Sequence, residues 1–197
     1  MLSEYRKNKN TKITKHCVLE SEENIMNEKT IGFLAGIAVS LVIVYIALKK
    51  LNSDGKATTK YDERQKAVRG KAYTYAFWAV LLANCILLAL SVNEPVIERL
   101  GPVLFFVPVF IGITVQITYS IFNDGYVGLN TNLKKYLIFM IFVTIINVGV
   151  GVMAAINGQV CLDGRLQGPF INILCGILFL IVVVDLLIKN AVENREA

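Results

Sequence analysis

Histidine is almost absent from this 197-residue sequence, and acidic side chains are nearly missing from its long apolar stretches. The single histidine is His16, and Asp185 is the one acidic residue well within such a stretch. Hydrolysis by a serine, aspartate or metal centre inside a membrane would need histidines or paired carboxylates there. The sequence also lacks a Cys-x-x-Cys pair and a glycine-rich phosphate loop, which serve thiol redox chemistry and nucleotide hydrolysis. We therefore predict that the protein is not an enzyme and has no catalytic residue, cofactor or metal.

Charge in general is sparse, at 18% of residues, whereas 55% belong to the apolar set. A soluble domain carries about 25% charged residues. Five long gaps separate the charges, and a helix of roughly 20 mostly apolar residues can cross a hydrocarbon core of about 30 Å. We predict an all-α integral membrane bundle of five transmembrane helices, with spans at about 31–48, 72–92, 103–122, 136–156 and 169–188. Pro108 is expected to kink the third span.

Polar segments lie at both ends of this domain. Residues 1–29 are predicted to form a polar, disordered N-terminal segment, because they lack the apolar residues needed for a core. Met26 begins a sequence that leads directly into the first span, and we interpret it as the natural start. The transmembrane domain would then occupy residues 30–190, followed by a cytoplasmic tail at 191–197.

Lysine and arginine are distributed unevenly between the two sides of the predicted membrane. One side collects twelve of them, eight in the first loop (49–71) and the others at Lys134, Lys135, Lys189 and Arg195. The other side collects eight, or three if the chain starts at Met26. Basic residues favour the cytoplasmic side, so the N-terminus is predicted outside and the C-terminus inside. Topology and anionic lipid then account for the net charge of +5 without nucleic acid.

The most charge-dense segment, 58–71, leads directly into the second span. Thr59 followed by Asp62 resembles a helix N-cap with an acidic partner, so we predict a short cytoplasmic amphipathic helix before the span, with a bend at Gly70. Asn123-Asp124-Gly125-Tyr126 is a turn signal at the inner end of the third span, on the same side of the membrane. The candidate interaction residues, which we call the polar cap, are Asp62, Glu63, Arg64, Gln65, Arg69 and Asp124.

Four polar side chains within the predicted spans are candidate intramembrane sites. Three are amides, Asn84, Gln116 and Asn147, and the fourth is Asp185. Amides in membrane helices usually join helices by hydrogen bonds worth about 0.6–2 kcal/mol, but these three could also converge near the middle of the membrane. A carboxylate in hydrocarbon is costly and is therefore a functional candidate. Because Asp185 lies about one turn from the inner boundary and four residues before Lys189, we interpret it as a snorkelling or paired surface charge.

Three short motifs carry a resemblance to other proteins. They are Tyr61-Asp62-Glu63-Arg64-Gln65, Arg69-Gly70-Lys71-Ala72 and the Asn123–Tyr126 turn. Together they resemble small uncharacterised multi-pass membrane proteins of Gram-positive bacteria, over residues 26–190. The resemblance implies a bacterial cell membrane and no particular activity.

The concentration of charge on one side suggests a function in recognition. The leading hypothesis is a non-enzymatic integral membrane accessory or sensor protein whose cytoplasmic polar cap docks a partner protein or anionic lipid. The alternative is a small transporter or channel subunit that uses the midplane asparagine and glutamine residues. The expected partners are membrane lipid and a protein at the cytoplasmic face, with no nucleic acid, and the sequence permits a homo-oligomer.

Overall fold

The computed structural model describes residues 30–32, 34–92 and 94–196, which are mostly helical. The chain divides into two compact units, the first ending at Lys50 and the second beginning at Leu51. Helix α1 is Thr30–Leu51. The second unit contains α2 (Glu63–Leu90), α3 (Glu94–Leu100), a 3-10 helix (Gly101–Phe105), α4 (Val107–Phe122), α5 (Leu133–Ile156), β1 (Cys161–Leu162), β2 (Arg165–Leu166) and α6 (Phe170–Glu196).

This element content confirms the predicted all-α class, with one short antiparallel hairpin formed by β1 and β2. Residues 191–196, predicted to be a tail, continue helix α6. The predicted disordered segment 1–29 and the start at Met26 lie outside the described residues.

The described residues contain four single helices that are long and apolar enough to cross a membrane, namely α1, α2, α5 and α6. A fifth span results if Pro95–Phe105 and α4 are counted as one, and these two are bent by 53° at the break between them. The bend falls just before Pro108, which lies in the first turn of α4. Proline is tolerated there because its missing N–H would have no partner within the helix.

Helix α2 differs from the prediction in two ways. It is continuous from Glu63 to Leu90 and includes Gly70, so the short amphipathic helix is not a separate element. The N-cap is Asp62 rather than Thr59, because Asp62 accepts a hydrogen bond from the Gln65 N–H at 2.6 Å and its own N–H donates to Gln65 Oε1 at 3.3 Å. This capping box satisfies two backbone donors at the helix start.

The long helices of the second unit pack in the order α2, α4, α6, α5. Gln65 in the first turn of α2 binds the carbonyl of Asp124, just after the end of α4, so these helices are antiparallel. Lys189 near the end of α6 binds the carbonyl of Ile121 in the last turn of α4, so α4 and α6 are parallel. The start of α2 and the ends of α4 and α6 therefore lie together, at what we call the cap end. Residues from α4, α5 and α6 form the buried cluster near this end, Ile121, Met140, Val182, Val183 and Leu186.

Candidate functional site

Two loops meet at the cap end: residues 52–62, between α1 and α2, and residues 123–132, between α4 and α5. We call them the paired loops. Asn52 and Thr131 form an antiparallel bridge. The Ser53 N–H donates to the Asn130 carbonyl at 2.7 Å, and the Leu129 N–H donates to the Lys60 carbonyl at 2.9 Å. Segments some seventy residues apart in sequence are thus joined by backbone hydrogen bonds.

The side chain of Asn130 holds the two loops together. Its Oδ1 accepts from the Lys60 N–H at 2.8 Å, and its Nδ2 donates to the Thr58 carbonyl at 3.0 Å and to Asp54 Oδ1 at 3.1 Å. The residue is 8% exposed. An amide offers both an acceptor and two donors, which a carboxylate or hydroxyl of similar size does not.

Asn52 and Asp54 organise the first of the paired loops. Buried Asn52 donates from Nδ2 to the Lys56 carbonyl at 2.8 Å and accepts from the Thr131 hydroxyl at 3.0 Å. Asp54 accepts from the Lys56 N–H at 3.1 Å, and this bond, followed by the one from Lys60, lowers the pKa of its carboxyl. Asn52-Ser53-Asp54-Gly55 is a sequence typical of a turn, but nothing in it indicates that Asn130 would bind this loop.

Part of the polar cap gathers against the second of the paired loops. Gln65 Nε2 donates to the carbonyls of Asp124 and Val127, both at 3.0 Å. The Arg64 guanidinium lies 2.9 Å from Asp124 Oδ2. Asp124 adopts φ 62°, a left-handed conformation that aspartate tolerates better than most residues, and this turns its carboxylate toward α2. Arg64, Gln65 and Asp124 are thus brought into one cluster.

Lys189 also belongs to this cluster, although the sequence suggested that it would pair with Asp185. Its Nζ contacts the Asp124 carboxylate as well as the Ile121 carbonyl, the latter at 2.8 Å. Asp185 is 9% exposed and accepts a hydrogen bond from the Thr118 hydroxyl of α4 at 2.7 Å. Our interpretation of Asp185 as a snorkelling or surface-paired charge is therefore wrong. Its side chain is buried against α4, where its carboxylate accepts the hydrogen bond from the Thr118 hydroxyl.

The remaining members of the polar cap lie around the cluster. Glu63 pairs with Lys66 at 2.7 Å. Arg69 stacks over the Tyr61 ring, with 4.3 Å between its guanidinium carbon and the ring centroid, and donates to the Tyr73 hydroxyl at 3.3 Å. Arg69 thus lies farther along α2 than Arg64 and Gln65, closer to the apolar part of that helix.

The three amides predicted to face the middle of the membrane are each bonded within their own helix. Asn84 donates to the Val80 carbonyl at 2.8 Å, and Asn147 donates to the Val143 carbonyl at 2.9 Å. Gln116 donates to the Ser120 hydroxyl at 3.4 Å. Among the described residues, no hydrogen bond joins one of these amides to another or to Asp185.

A cavity of about 220 Å³ opens beside the cluster. Its polar lining includes Gln65, Asp124, Tyr126, Lys189 and Glu193, and its apolar lining residues are Ile121, Val127, Leu133 and Leu186. Burial is the main cause of the raised pKa of the Tyr126 hydroxyl. Within the part of the chain that the structure describes, no group of three histidine, cysteine or acidic residues is placed to hold a metal ion.

The Asp124 ion pairs give an expected pH dependence. The hydrogen bond from Lys189, supported by the pair with Arg64, holds the pKa of Asp124 below its ordinary value of 3.8. A carboxyl with a lower pKa in the folded state stabilises the protein above its unfolded-state pKa, and this contribution is lost as the pH falls through the folded-state value. We expect Asp124→Asn to lower the melting temperature in detergent near neutral pH and to match the wild type in strongly acidic buffer.

A matched control for this prediction is Asp163→Asn. Asp163 is an exposed hairpin residue that also has positive φ and has no ion pair among the described residues. This variant should follow the wild-type melting curve at every pH. A difference between Asp124→Asn and wild type that stays constant from neutral to acidic pH would contradict the role of the charge.

Compared with family models, with curated proteins and with solved structures, the chain matches none. The fold alone therefore defines its class. It is a mostly helical protein with four or five helices long and apolar enough to cross a membrane, which is compatible with a membrane location.

Proposed function

We propose that the chain is a non-enzymatic integral membrane protein of a bacterial cell membrane, acting as an accessory or sensor protein. In this proposal the bent pair counts as one span, which gives five. The N-terminus is outside and the cap end faces the cytoplasm. The polar cap there docks a partner protein or anionic lipid. The basic residues support this orientation, because they are concentrated at the cap end and basic residues favour the cytoplasmic side.

The observation that carries the proposal is the fixed geometry of the cap end. The paired loops are joined through Asn130 and Asn52, and Arg64 and Gln65 in the first turn of α2 both contact Asp124. Such a surface is organised before anything binds to it, which reduces the ordering cost of recognition.

Several cations at the cap end are available to a ligand. Within the described residues, the cations with no carboxylate partner at this end include Lys56, Arg69, Lys71, Lys134 and Lys135. Arg64 does have a partner, yet its side chain is 71% exposed. An excess of accessible positive charge favours an acidic surface as the ligand.

The transporter alternative has weaker support. Its midplane amides bind groups of their own helices, and Asp185 is satisfied by Thr118. A solute site would need polar groups directed at a shared cavity. The bent helix pair before α4 is the feature that agrees best with this alternative, because broken helices are common in transporters.

Charge reversal at Arg64 tests the docking proposal. Arg64→Glu is a cleaner variant than a reversal at Asp124, because a lysine at 124 would also face Lys189. In cells cross-linked through lysines and analysed by mass spectrometry, we expect Arg64→Glu to reduce recovery of a stoichiometric partner by at least about tenfold, as is common for an interface arginine.

The matched control is a charge reversal at the opposite end of the second unit. Arg165 pairs with Glu98 at 3.2 Å, with an exposure similar to that of the Arg64 pair. Arg165→Glu should leave partner recovery unchanged. Unchanged recovery with folded, membrane-inserted Arg64→Glu, or equal losses with both variants, would reject docking at the polar cap.

A further inference from the structure

An apolar groove runs along the surface where α2 and α4 meet. Its volume is about 330 Å³. Gly112 lies at its base, where an added Cβ would overlap the Val80 side chain, so the two helices approach closely there. The groove is lined by Tyr73, Phe77 and Val80 of α2 and by Val109, Ile113 and Gln116 of α4.

Arg69 lies at the cap end of this groove. It donates to the hydroxyl of Tyr73, the first lining residue on α2, and stacks over Tyr61. A guanidinium has five N–H donors, so most of them are free beyond this bond. No carboxylate pairs with Arg69 among the described residues. A positive group is thus held by two contacts at the cap end of the groove.

We propose that the groove binds one acyl chain of an anionic phospholipid of the cytoplasmic leaflet, with the lipid phosphate bound by Arg69. This inference rests on the proposed function, since it takes from it the membrane location and the direction of the cap end. The two parts of such a lipid match the two parts of the site. An apolar chain fits the groove, and a guanidinium binds phosphate through two parallel hydrogen bonds.

The dimensions of the groove agree with an acyl chain. From Tyr73 to Val80 the helix rises about 10 Å at 1.5 Å per residue. One leaflet contributes about 15 Å of a hydrocarbon core of about 30 Å. The groove therefore begins at headgroup level and extends through most of the leaflet. A partner helix about 10 Å across would occupy roughly 400 Å³ per turn, so it would cover this groove rather than fill it.

The test uses the purified full chain in detergent, titrated with phosphatidylglycerol or with phosphatidylcholine carrying the same acyl chains. A ligand that binds the folded state raises the melting temperature in proportion to the logarithm of its concentration above Kd. For the wild type we expect a larger rise with phosphatidylglycerol. Arg69→Gln removes the charge, and Ile113→Trp fills the groove from its exposed edge. Each should weaken the apparent affinity for phosphatidylglycerol by about tenfold or more.

Each variant has a matched control. Lys134→Gln removes an exposed cation that likewise lacks a carboxylate partner, and Ile111→Trp adds the same bulk to an exposed position of α4 outside the groove. Both controls should keep the wild-type response. If Ile113→Trp lowers the melting temperature without lipid, Val109→Trp, one helical turn farther from Arg69 in the same groove, replaces it.

Three outcomes would overturn the inference. Equal losses with Arg69→Gln and Lys134→Gln would show a general attraction to anionic surfaces. If Ile113→Trp leaves the apparent affinity for phosphatidylglycerol unchanged, no acyl chain occupies the groove. An equal response to both lipids in the wild type would remove the role of the phosphate charge.

Failure here can be separated from failure of the docking proposal. The lipid titration contains no partner protein, and Arg64→Glu leaves both Arg69 and the groove in place. If partner recovery depends on Arg64 while the lipid response does not depend on Arg69, the polar cap docks a protein and the lipid site is rejected. If the lipid response depends on Arg69 while partner recovery does not depend on Arg64, the lipid site is retained and docking of a protein at the polar cap is rejected.

Discussion

Replacing Asn130 by alanine is expected to lower the stability of the protein by about 2–4 kcal/mol, since three hydrogen bonds of about 1 kcal/mol each are lost and a partly buried backbone N–H is left unpaired. The Lys60 N–H loses its Asn130 partner, and the Thr58 carbonyl keeps only the longer hydrogen bond from Asn52 Nδ2, at 3.3 Å. For a chain of this size, such a loss corresponds to a fall of roughly 5–15 °C in melting temperature. Thermal unfolding in a mild detergent measures it.

A second variant separates the hydrogen bonds from the volume of the side chain. Asn130→Asp keeps the shape and the acceptor for the Lys60 N–H, but it removes the donors and puts a second carboxylate beside Asp54. We expect a loss comparable to that of Asn130→Ala. Asn194→Ala, on an exposed turn of α6, should change nothing. A near-wild-type melting temperature for Asn130→Asp would contradict the donor role of the amide.

Asn130 also shows why the site was harder to predict than the helices. The long helices could be predicted because a charge-free run long enough to cross a hydrocarbon core has one main solution there, a helix in which every backbone group is hydrogen-bonded. A loop asparagine has no such constraint. Its partners are 70–76 residues away, and no local pattern indicates which loop it will meet.

The α6 residues Asp185 and Lys189 illustrate a second limit. Their spacing of four residues suggested a pair with each other, as expected for an isolated helix. In the folded chain Asp185 instead meets the Thr118 hydroxyl of α4, and Lys189 meets the Asp124 carboxylate in the loop after α4. The spacing of residues along a helix shows which neighbours on that helix a side chain can reach. The packing of the other helices decides which partner it contacts in the folded chain.

The largest effect expected inside the apolar part of the protein concerns the contact between α5 and α6. Gly151 of α5 is buried against Ile173 of α6, and an added Cβ would lie 2.6 Å from Ile173 Cγ1 and 3.3 Å from the Ile173 backbone nitrogen. Gly176 of α6 meets Val148 of α5 in the same way. Small residues at such contacts let membrane helices approach closely, and van der Waals packing is then a main source of their association.

Gly151→Leu should therefore separate the two helices and lower stability by about 2–3 kcal/mol, the cost of forcing extra methylene groups into a packed interface. The same helix supplies a strict control, since nothing lies within 4 Å of a Cβ added at Gly149, two residues away. Gly149→Leu makes the same chemical change facing outward, so its melting temperature in detergent should stay at or above the wild-type value. Equal losses at the two positions would mean that a leucine harms α5 wherever it is placed. A loss confined to Gly151 would mean that the close contact between Gly151 of α5 and Ile173 of α6, which lies far from the cap end, itself contributes to stability.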